Sequence, residues 1–338
     1  MIVLLSAAVI AVGAAVFVPW WVMLRMPGES YGGPLPPLTA EEAAGRARLE
    51  AHVVALAGRI GERHYARPEA LEAAALYVED ELRALGYEVR RQAYRANGQD
   101  FRNLEVTVPG GARADEVVVV GGHYDSVVGT PGADDNATGV AGVLELARHF
   151  RGRRPARTLR LVAFVNEEPP FFLSDAMGSR VYAREAKRRG DRVAAMLSLE
   201  TIGYFDDASG SQQYPPPLGS FFPDRGDFIG FVGNVASASL VRRCVGAFRA
   251  AVRFPSEGVA APAQIPGVYW SDHDSFWKEG WPAVMITDTA PFRNPHYHGA
   301  SDTPRTVDFD RLARVVRGIA AAVDELLGEE GAAPTAGA

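Results

Sequence analysis

Apolar and polar residues alternate along most of this chain with two different periods. Short runs of β-branched and aliphatic residues, such as VVVV at 117–120, are typical of buried strands, whereas an apolar residue every three or four positions is typical of an amphipathic helix. The predicted strands cover 87–94, 103–108, 117–124, 159–166, 196–200, 228–232 and 283–288. The predicted helices cover 38–58, 68–85, 139–150, 177–189, 237–252 and 309–327. Because strands and helices alternate, we expect an α/β fold with a mainly parallel, mixed central sheet covered by helices on both faces.

Two segments do not fit this alternation. Residues 169–173 (PPFFL) come soon after an apolar strand, and prolines continue neither a strand nor a helix well. Residues 203–227 are rich in Gly, Pro, Ser and aromatic residues, which predicts a long loop. Long loops in compact domains are usually functional or disordered, and the aromatic residues favour packing beside a cleft. We therefore expect both segments to form walls of a site.

Composition narrows the class of protein. The chain has 338 residues and is 47% hydrophobic, which is enough for a large core. The formal net charge of −6 and the absence of a basic stripe argue against a nucleic-acid partner. Cys244 is the single cysteine, so no disulfide can form within the chain.

The most informative polar residues follow a predicted strand. His123 and Asp125 come directly after the apolar run at 117–122, and because side chains alternate faces in a strand, both project to the same side. A His-x-Asp pair by itself is equally consistent with a hydrogen-bonded structural histidine. A glycine-rich turn that contains Asp134 and Asp135 comes next in the sequence.

Further acidic and histidine residues follow the later strands. Glu167 and Glu168 come after the strand at 159–166, Glu200 ends the strand at 196–200, and His298 lies in the segment NPHYHGASDT. Functional groups gather at the carboxyl ends of strands in open α/β sheets, and His, Asp and Glu are ligands that suit zinc. Adjacent carboxylates repel one another and need cations nearby. The set therefore predicts a metal site. A site for two metal ions would need one carboxylate to bridge the ions and another to move protons.

Six motifs occur in an order that resembles a known family. They are H-Y-D, P-G-A-D-D-N-A-T-G, N-E-E, L-E-T-I-G-Y, S-D-H and H-G-A-S-D-T, and the resemblance covers roughly residues 68–327. This pattern is similar to that of the co-catalytic two-zinc aminopeptidases, a family that includes aminopeptidase Y and leucyl aminopeptidase-like enzymes. The family also contains glutaminyl cyclases and inactive receptor ectodomains. The resemblance implies a phosphorylase/hydrolase-type α/β fold, as in zinc exopeptidases.

The resemblance also implies a role for each candidate residue. One zinc ion would be bound by His123, Asp135 and Glu200, and a second by Asp135, Glu168 and His298. The family's bridging aspartate is followed by three residues and a glycine, which selects Asp135 over Asp134. Glu167 matches the general base, and Asp125 matches the residue that orients His123. The segment around His273 is expected to support the metal-binding loops and not to bind metal.

Three classes of function follow from this resemblance. The first is a zinc-dependent aminopeptidase with two Zn²⁺ per chain, which acts on peptides with a free N-terminus. The second is a single-zinc acyl transferase similar to glutaminyl cyclase, in which Glu167 moves protons during ring closure. The third is a metal-free binding ectodomain, and the presence of all five ligand positions argues against it.

The N-terminal segment differs in composition from the rest of the chain. Residues 2–24 carry no charged side chain, and as a helix they would span about 34 Å, enough to cross the core of a bilayer. An uncleaved anchor is favoured over a cleaved signal peptide, whose apolar part is usually shorter, and over a buried core helix. We expect residues 1–29 to be an anchor or signal segment with its linker, 30–328 to be the catalytic domain, and 329–338 to be a disordered tail. The resemblance favours a membrane-anchored protein with an exported catalytic domain, or a secreted one after signal cleavage.

Overall fold

The computed structural model describes residues 22–216 and 218–328. The strands in these ranges are β1 (Arg90–Ala96), β2 (Gln99–Val108), β3 (Arg113–His123), β4 (Arg157–Phe164), β5 (Arg192–Glu200), β6 (Ile229–Asn234), β7 (Ser256–Ala261) and β8 (Ala283–Thr287). The α-helices are α1 (Ala40–Val53), α2 (Pro68–Ala84), α3 (Gly139–Phe150), α4 (Gly178–Arg189), α5 (Ala238–Ala251), α6 (His273–Lys278) and α7 (Phe309–Leu327).

The eight strands form one mixed sheet in the order β1-β2-β4-β3-β5-β8-β6-β7. Four neighbouring strands, β4, β3, β5 and β8, run parallel to one another in its centre. The pairs β1–β2, β2–β4 and β6–β8 are antiparallel, and β7 is parallel to β6 at one edge. The α/β class with a mostly parallel central sheet is thus confirmed, and the parallel centre brings the carboxyl ends of β3, β4 and β5 to one edge.

Side-chain alternation along β3 places a different set of helices on each face of the sheet. Val118 and Val120 belong to the larger core, together with residues of α1, α2, α3, α5 and α7. Val117 and Val119 belong to a smaller core on the other face, where α4 and α6 pack. A central strand that is covered on both faces must be apolar at consecutive positions, which explains the run VVVV.

The structure differs from the predicted elements in a few places. The first predicted helix is α1 followed by a π-helical segment, Val54–Ile60. The strand β7 and the short helix α6 were not predicted, because the sequence of β7, SEGVAA, has only one β-branched residue, and α6 has only six residues. Residues 203–227 form the expected long loop, with one isolated bridge between Asp206 and Gly226 and one short 3₁₀ turn, Leu218–Ser220.

Most of the predicted membrane segment, and the whole predicted tail at 329–338, lie outside the described residues. Within 22–216 and 218–328, the structure has no helix with the length and apolar character that a membrane crossing requires. The last residues of the apolar segment and the predicted linker are described, and they lie against α5 and β7.

Candidate metal centre and cleft

The carboxyl ends of three parallel strands bring the predicted ligands together. His123 ends β3, Glu200 ends β5, and Glu167 and Glu168 follow β4 by three and four residues. Asp135 lies in the turn between β3 and α3. These five side chains are buried, at 9% exposure or less.

Asp135 lies between two histidines and contacts each with a different oxygen. Its Oδ1 lies 3.3 Å from Nε2 of His123, and its Oδ2 lies 3.1 Å from Nε2 of His298. The same nitrogen of His123 is 3.4 Å from Oε2 of Glu200, and that of His298 is 3.5 Å from Oε2 of Glu168. Two groups of potential ligands therefore share one carboxylate.

Each group is compact enough for one cation. His123, Asp135 and Glu200 form the first group, and Asp135, Glu168 and His298 the second; within each, the potential ligand atoms lie within 4.8 Å of one another. A third overlapping group contains His123, Glu167 and Glu168. Oε2 of Glu167 lies 3.9 Å from Nε2 of His123, farther than the nearest oxygens of Asp135 and Glu200.

Left-handed backbone conformations adjoin several of these side chains. Asn166 precedes Glu167 with φ 60°, Thr201 follows Glu200 with φ 46°, and His298 has φ 55°. Such conformations cost on the order of 1 kcal/mol for residues other than glycine and tend to persist at functional sites. No feature of the amino-acid pattern predicted them.

Buried carboxylates hold the loops that carry the ligands. Oδ1 and Oδ2 of Asp302 accept hydrogen bonds from the backbone amides of Asp134, at 2.9 Å, and Asp135, at 3.2 Å. The two oxygens of Asp125 accept hydrogen bonds from the amides of Glu167 and Glu168, each at 3.2 Å. Asp125 thus positions the loop after β4.

Asp125 also contacts His123. Nδ1 of His123 lies 3.2 Å from the backbone oxygen of Asp125 and 3.5 Å from its carboxylate. A hydrogen bond at Nδ1 directs Nε2 toward Asp135 and Glu200.

Arg63 was not predicted to have a role, and it is completely buried beside the site. Its guanidinium donates hydrogen bonds to four backbone oxygens around the loop after β3, which belong to Tyr124, Gly61, Pro131 and Gly132. The carboxylates of Asp125, Asp302, Asp135 and Glu168 favour its charged form, although burial lowers its pKa to about 10. Since Arg63 lies outside the six motifs, the sequence gives no signal that could have identified it.

Ser271 and Asp272 occur in the S-D-H motif and lie behind Glu200. The hydroxyl of Ser271 donates a hydrogen bond to Oε2 of Glu200 at 2.7 Å. Both carboxylate oxygens of Asp272 are buried and without a hydrogen-bond partner, and burial raises its pKa to about 7. His273 contacts the backbone oxygen of Val268 through Nε2 and is absent from all three ligand groups.

Burial and the neighbouring charged side chains shift the pKa values of Glu167 and His123 away from their usual ranges. Burial raises the pKa of Glu167 well above its usual range, and the nearby charges of Glu200, Asp272 and Asp135 raise it further. Burial alone would lower the pKa of His123, but the carboxylates of Glu200 and Glu167 raise it well above its usual range. A cluster of this kind needs cations to keep its carboxylates ionised.

Next to the ligands lies a cleft of about 380 Å³. Asp135, Glu167, Glu168, Glu200 and His298 are among the residues that line it. The walls are mainly apolar and include Phe172 from the segment 169–173 as well as Tyr214, Leu218 and Phe222 from the loop 203–227. No lysine or arginine is among the described residues that line it. Both segments thus contribute to the cleft wall as expected.

The profile of one protein family matches residues 103–323, which is most of the chain, and its description is Peptidase family M28. The chain belongs to peptidase family M28. This membership implies peptide substrates and accounts for the order of the motifs.

Two relatives of this M28 chain differ in their sequence identity to it and in the share of each chain that is aligned. The protein YfbL of Escherichia coli K12, which is described as uncharacterized, is 40% identical over 258 residues, 74% of this chain and 78% of its own length. A probable leucine aminopeptidase of Trichophyton verrucosum is 29% identical over 224 residues, 62% of this chain. The chain spans only about half the length of that fungal relative, namely 53%.

Solved structures share the fold at low sequence identity. A zinc aminopeptidase from Bacillus subtilis, BSAP, superposes with a TM-score of 0.65 at 14% identity, covering 84% of this chain and 95% of that one. A glutaminyl cyclase from Fimbriiglobus ruber superposes with a TM-score of 0.62 at 19% identity, covering 89% of this chain and 99% of the other. Since both enzymes share this fold, the fold does not distinguish hydrolysis from ring closure.

Proposed function

We propose that this M28 protein is a zinc-dependent aminopeptidase that binds two zinc ions per chain. The observation that carries the proposal is the pair of three-residue ligand groups that share Asp135 and border a mainly apolar cleft. The aminopeptidase names of the fungal relative and of the Bacillus structure agree with this proposal.

The unpartnered atoms of the site fit a pair of cations. Nε2 of His123, Oδ1 of Asp135 and Oε1 of Glu168 are buried and have no hydrogen-bond partner. Buried polar groups without partners are rare in proteins, and imidazole and carboxylate groups are common zinc ligands. We assign the first ion to His123, Asp135 and Glu200, and the second to Asp135, Glu168 and His298.

Glu167 is proposed to move the proton. Bound zinc would polarise the scissile carbonyl and make a nearby water more acidic. Glu167 borders the cleft beside both ligand groups but lies farther from His123 than Asp135 or Glu200 does. From this position its carboxylate can take a proton from water and then donate it to the leaving nitrogen. Asp125 fixes Glu167 through the backbone amide of that residue.

The cleft also supports a preference for the first side chain of the peptide. Its walls carry aromatic and aliphatic residues such as Phe172, Leu218 and Phe292, and the charged side chains that line it are mainly carboxylates, those of the candidate site and of Glu257. A bulky apolar side chain would bury apolar surface there, and an acidic one would meet like charge. We therefore propose that bulky apolar N-terminal residues are preferred over acidic ones.

We further propose that residues 2–21 anchor the protein in a membrane and that the catalytic domain is exported; residues 22–24 of the predicted segment lie against the domain instead. The proposal rests on the absence of charged side chains in that segment and on Trp20 and Trp21 at its end, which fit a membrane interface. The mass of the chain extracted from membranes distinguishes an anchor from a cleaved signal peptide.

A panel of short peptides tests the aminopeptidase proposal. Leucyl, phenylalanyl, glutamyl and glutaminyl peptides are incubated with the protein and zinc, together with N-acetyl-leucyl peptide, and the products are identified by mass spectrometry. We expect rapid release of leucine and phenylalanine, slow release of glutamate, and no cleavage of the acetylated peptide, because its acylated nitrogen is a poor ligand. Loss of ammonia from the glutaminyl peptide without shortening would support the cyclase alternative instead. Cleavage of the acetylated peptide, or of internal bonds only, would contradict the proposal.

A further inference from the structure

Residues 22–30, here called the N-terminal strap, are fixed to the domain by hydrogen bonds at several points. Arg242 of α5 donates a hydrogen bond to the backbone oxygen of Val22 at 2.8 Å. Arg249, also of α5, donates to the backbone oxygens of Pro27 at 3.1 Å and Gly28 at 3.0 Å. The backbone amide of Ser256 in β7 donates to the hydroxyl of Ser30 at 2.9 Å. The strap is thus fixed at both ends, although residues 22–24 were predicted to belong to the membrane segment and the residues after them to a linker.

Two glycines leave room for the strap. A Cβ atom at Gly246 would lie 3.0 Å from Cγ of Pro27, and one at Gly258 would lie 2.8 Å from Sδ of Met26. Both distances are shorter than ordinary van der Waals contacts, so any larger residue would have to displace the strap or its neighbours. The surface of α5 and β7 is therefore shaped to receive this segment.

The first part of the strap packs behind the cleft. Met23 and Leu24 belong to a small apolar cluster whose buried centre is Leu218, Val259, Ala261 and Val268. Three of these four residues, namely Leu218, Val259 and Val268, also line the cleft, as do Tyr214 and Phe222 of the same cluster. Met23 and Leu24 thus support the side of the wall that faces away from the substrate.

We propose that the N-terminal strap positions the apolar wall of the cleft and thereby determines selectivity for bulky apolar N-terminal residues. This inference rests on the proposed aminopeptidase function. Without Met23 and Leu24, the cluster around Leu218 and Val259 loses apolar contacts on one side, and its side chains can move into the space left there. A wall that contacts the substrate side chain equally before and during the reaction affects KM and leaves kcat nearly unchanged.

Truncation and point variants test this role. One truncated protein begins at Val22 and keeps the strap, and a second begins at Tyr31 and lacks it. In the full chain, Met23→Ala combined with Leu24→Ala removes only the contacts to the cluster. Arg242→Met removes the hydrogen bond to Val22, and Arg243→Met is its matched control, because Arg243 pairs with Glu325 on α7. Each protein is assayed for zinc content and for kcat and KM with phenylalanyl, leucyl and alanyl peptides.

We expect the protein that begins at Val22 and the Arg243→Met variant to match the full chain. The Met23→Ala/Leu24→Ala variant should raise KM for phenylalanyl and leucyl peptides on the order of tenfold, with kcat, zinc content and the alanyl KM nearly unchanged. The protein that begins at Tyr31 and the Arg242→Met variant should change KM in the same direction. Unchanged KM values in the double variant, or an equal loss of activity on all three peptides, would overturn the proposal, and the second result would leave the strap a purely structural role.

A binding measurement separates this proposal from the proposed function. Calorimetry of L-phenylalaninol and L-alaninol, which carry a free amine but no scissile carbonyl, probes the cleft whether or not any peptide is cleaved. If the full chain cleaves no peptide, the aminopeptidase proposal fails, while weaker binding of phenylalaninol alone by the double variant would still support the strap. Equal affinities of the double variant and the full chain for phenylalaninol would contradict the role of the strap.

Discussion

At the scale of single residues, Glu167 and Glu168 are adjacent in the chain and have different surroundings. Oε2 of Glu168 lies 3.5 Å from His298, within a compact ligand group that also contains Asp135. Glu167 lies farther from the nearest imidazole, at 3.9 Å, and borders the cleft. Their sequence neighbours do not distinguish them, so the separation of roles depends on where the loop after β4 directs each side chain.

Substitution of each glutamate by glutamine tests that separation. Glu167→Gln should keep its zinc and lose kcat by a factor on the order of 100 or more, because the amide cannot accept the proton. Glu168→Gln, the matched control, should lose zinc from the group around His298. Metal content is measured by elemental analysis beside kcat. Loss of zinc and activity together in Glu167→Gln would contradict its assignment as the base.

Asp135 differs from the other ligands because it belongs to both compact groups. Asp135→Ala should therefore lose both zinc ions, since a bridging carboxylate neutralises each of them. Glu200→Ala should lose only one, because the group of Asp135, Glu168 and His298 stays complete. Zinc per chain after dialysis measures both outcomes. If Asp135→Ala retained one equivalent of zinc, Asp135 would not be the shared ligand.

At the scale of secondary-structure elements, two loops converge on Arg63. The loop after β3 and the turn that begins at Gly132 both direct backbone oxygens at its guanidinium. Because a guanidinium is a planar group with five N–H donors, it can bind several carbonyls at once, which the ammonium group of lysine cannot do in the same geometry. Arg63 therefore connects the loop that contains Asp125 with the turn that contains Asp135.

Arg63→Lys keeps the positive charge but replaces the planar guanidinium, which contacts several carbonyls at once, with an ammonium group. We expect zinc affinity to fall on the order of 10- to 100-fold, as for other residues that orient metal ligands. Competition with a chelator of known affinity measures the change. Arg160→Lys is the control, because Arg160 pairs with Asp191 just before β5 begins, at the end of that strand away from the ligands. Equal zinc affinities of Arg63→Lys and the unmodified protein would show that charge alone is sufficient at this position.

The elements that could be predicted from the sequence are those with a strong local pattern. The apolar runs of β3, β4 and β5, each followed by a polar ligand type, placed His123, Glu167 and Glu200 at one edge of the sheet. The helices α2, α3 and α7 begin and end close to the predicted residues. Their periodic apolar faces and terminal residues account for this agreement.

Other features depend on contacts between distant parts of the chain. Arg63 is far in sequence from the ligands, and its role arises from carbonyls that only the folded loops present. Residues 22–24 of the strap were predicted to belong to the membrane segment and the rest to a Pro/Gly linker, whereas the glycines that leave room for the strap, Gly246 and Gly258, lie in α5 and β7. Asp302 lay within a quoted motif, but its bonds to the amides of Asp134 and Asp135 follow from the tertiary structure.

At the scale of the whole molecule, the buried carboxylates make stability depend on pH and on metal. Burial raises the pKa of Asp272 and of Asp302 to about 7 and that of Asp288 to about 6. The folded protein therefore holds these protons more tightly than the unfolded chain does. Their contribution to stability is fully present below about pH 4, the usual pKa of Asp, and is lost as the pH rises through 6 and 7.

Thermal unfolding with chelator and with zinc tests this dependence. Without metal, the melting temperature should fall between pH 5 and pH 8. Because zinc stabilises ionised ligands, the rise in melting temperature on adding zinc should be larger at pH 8 than at pH 5. In Asp272→Asn, the fall in melting temperature between pH 5 and pH 8 without metal should be smaller, since the substitution removes one buried charge without removing a proposed ligand. An equal effect of zinc at both pH values would contradict this account of the buried charges.

The fixed strap also has a mechanical consequence. Nine free residues would give a tether a reach of up to about 30 Å, and the domain could then tumble and sample substrates over that distance. In the structure these residues follow the surface of α5 and β7 and provide no slack. On the proposals that the preceding segment lies in a bilayer and that the protein is an aminopeptidase, the domain has no free tether at residues 22–30, and the substrates within its reach would be N-termini at the membrane surface.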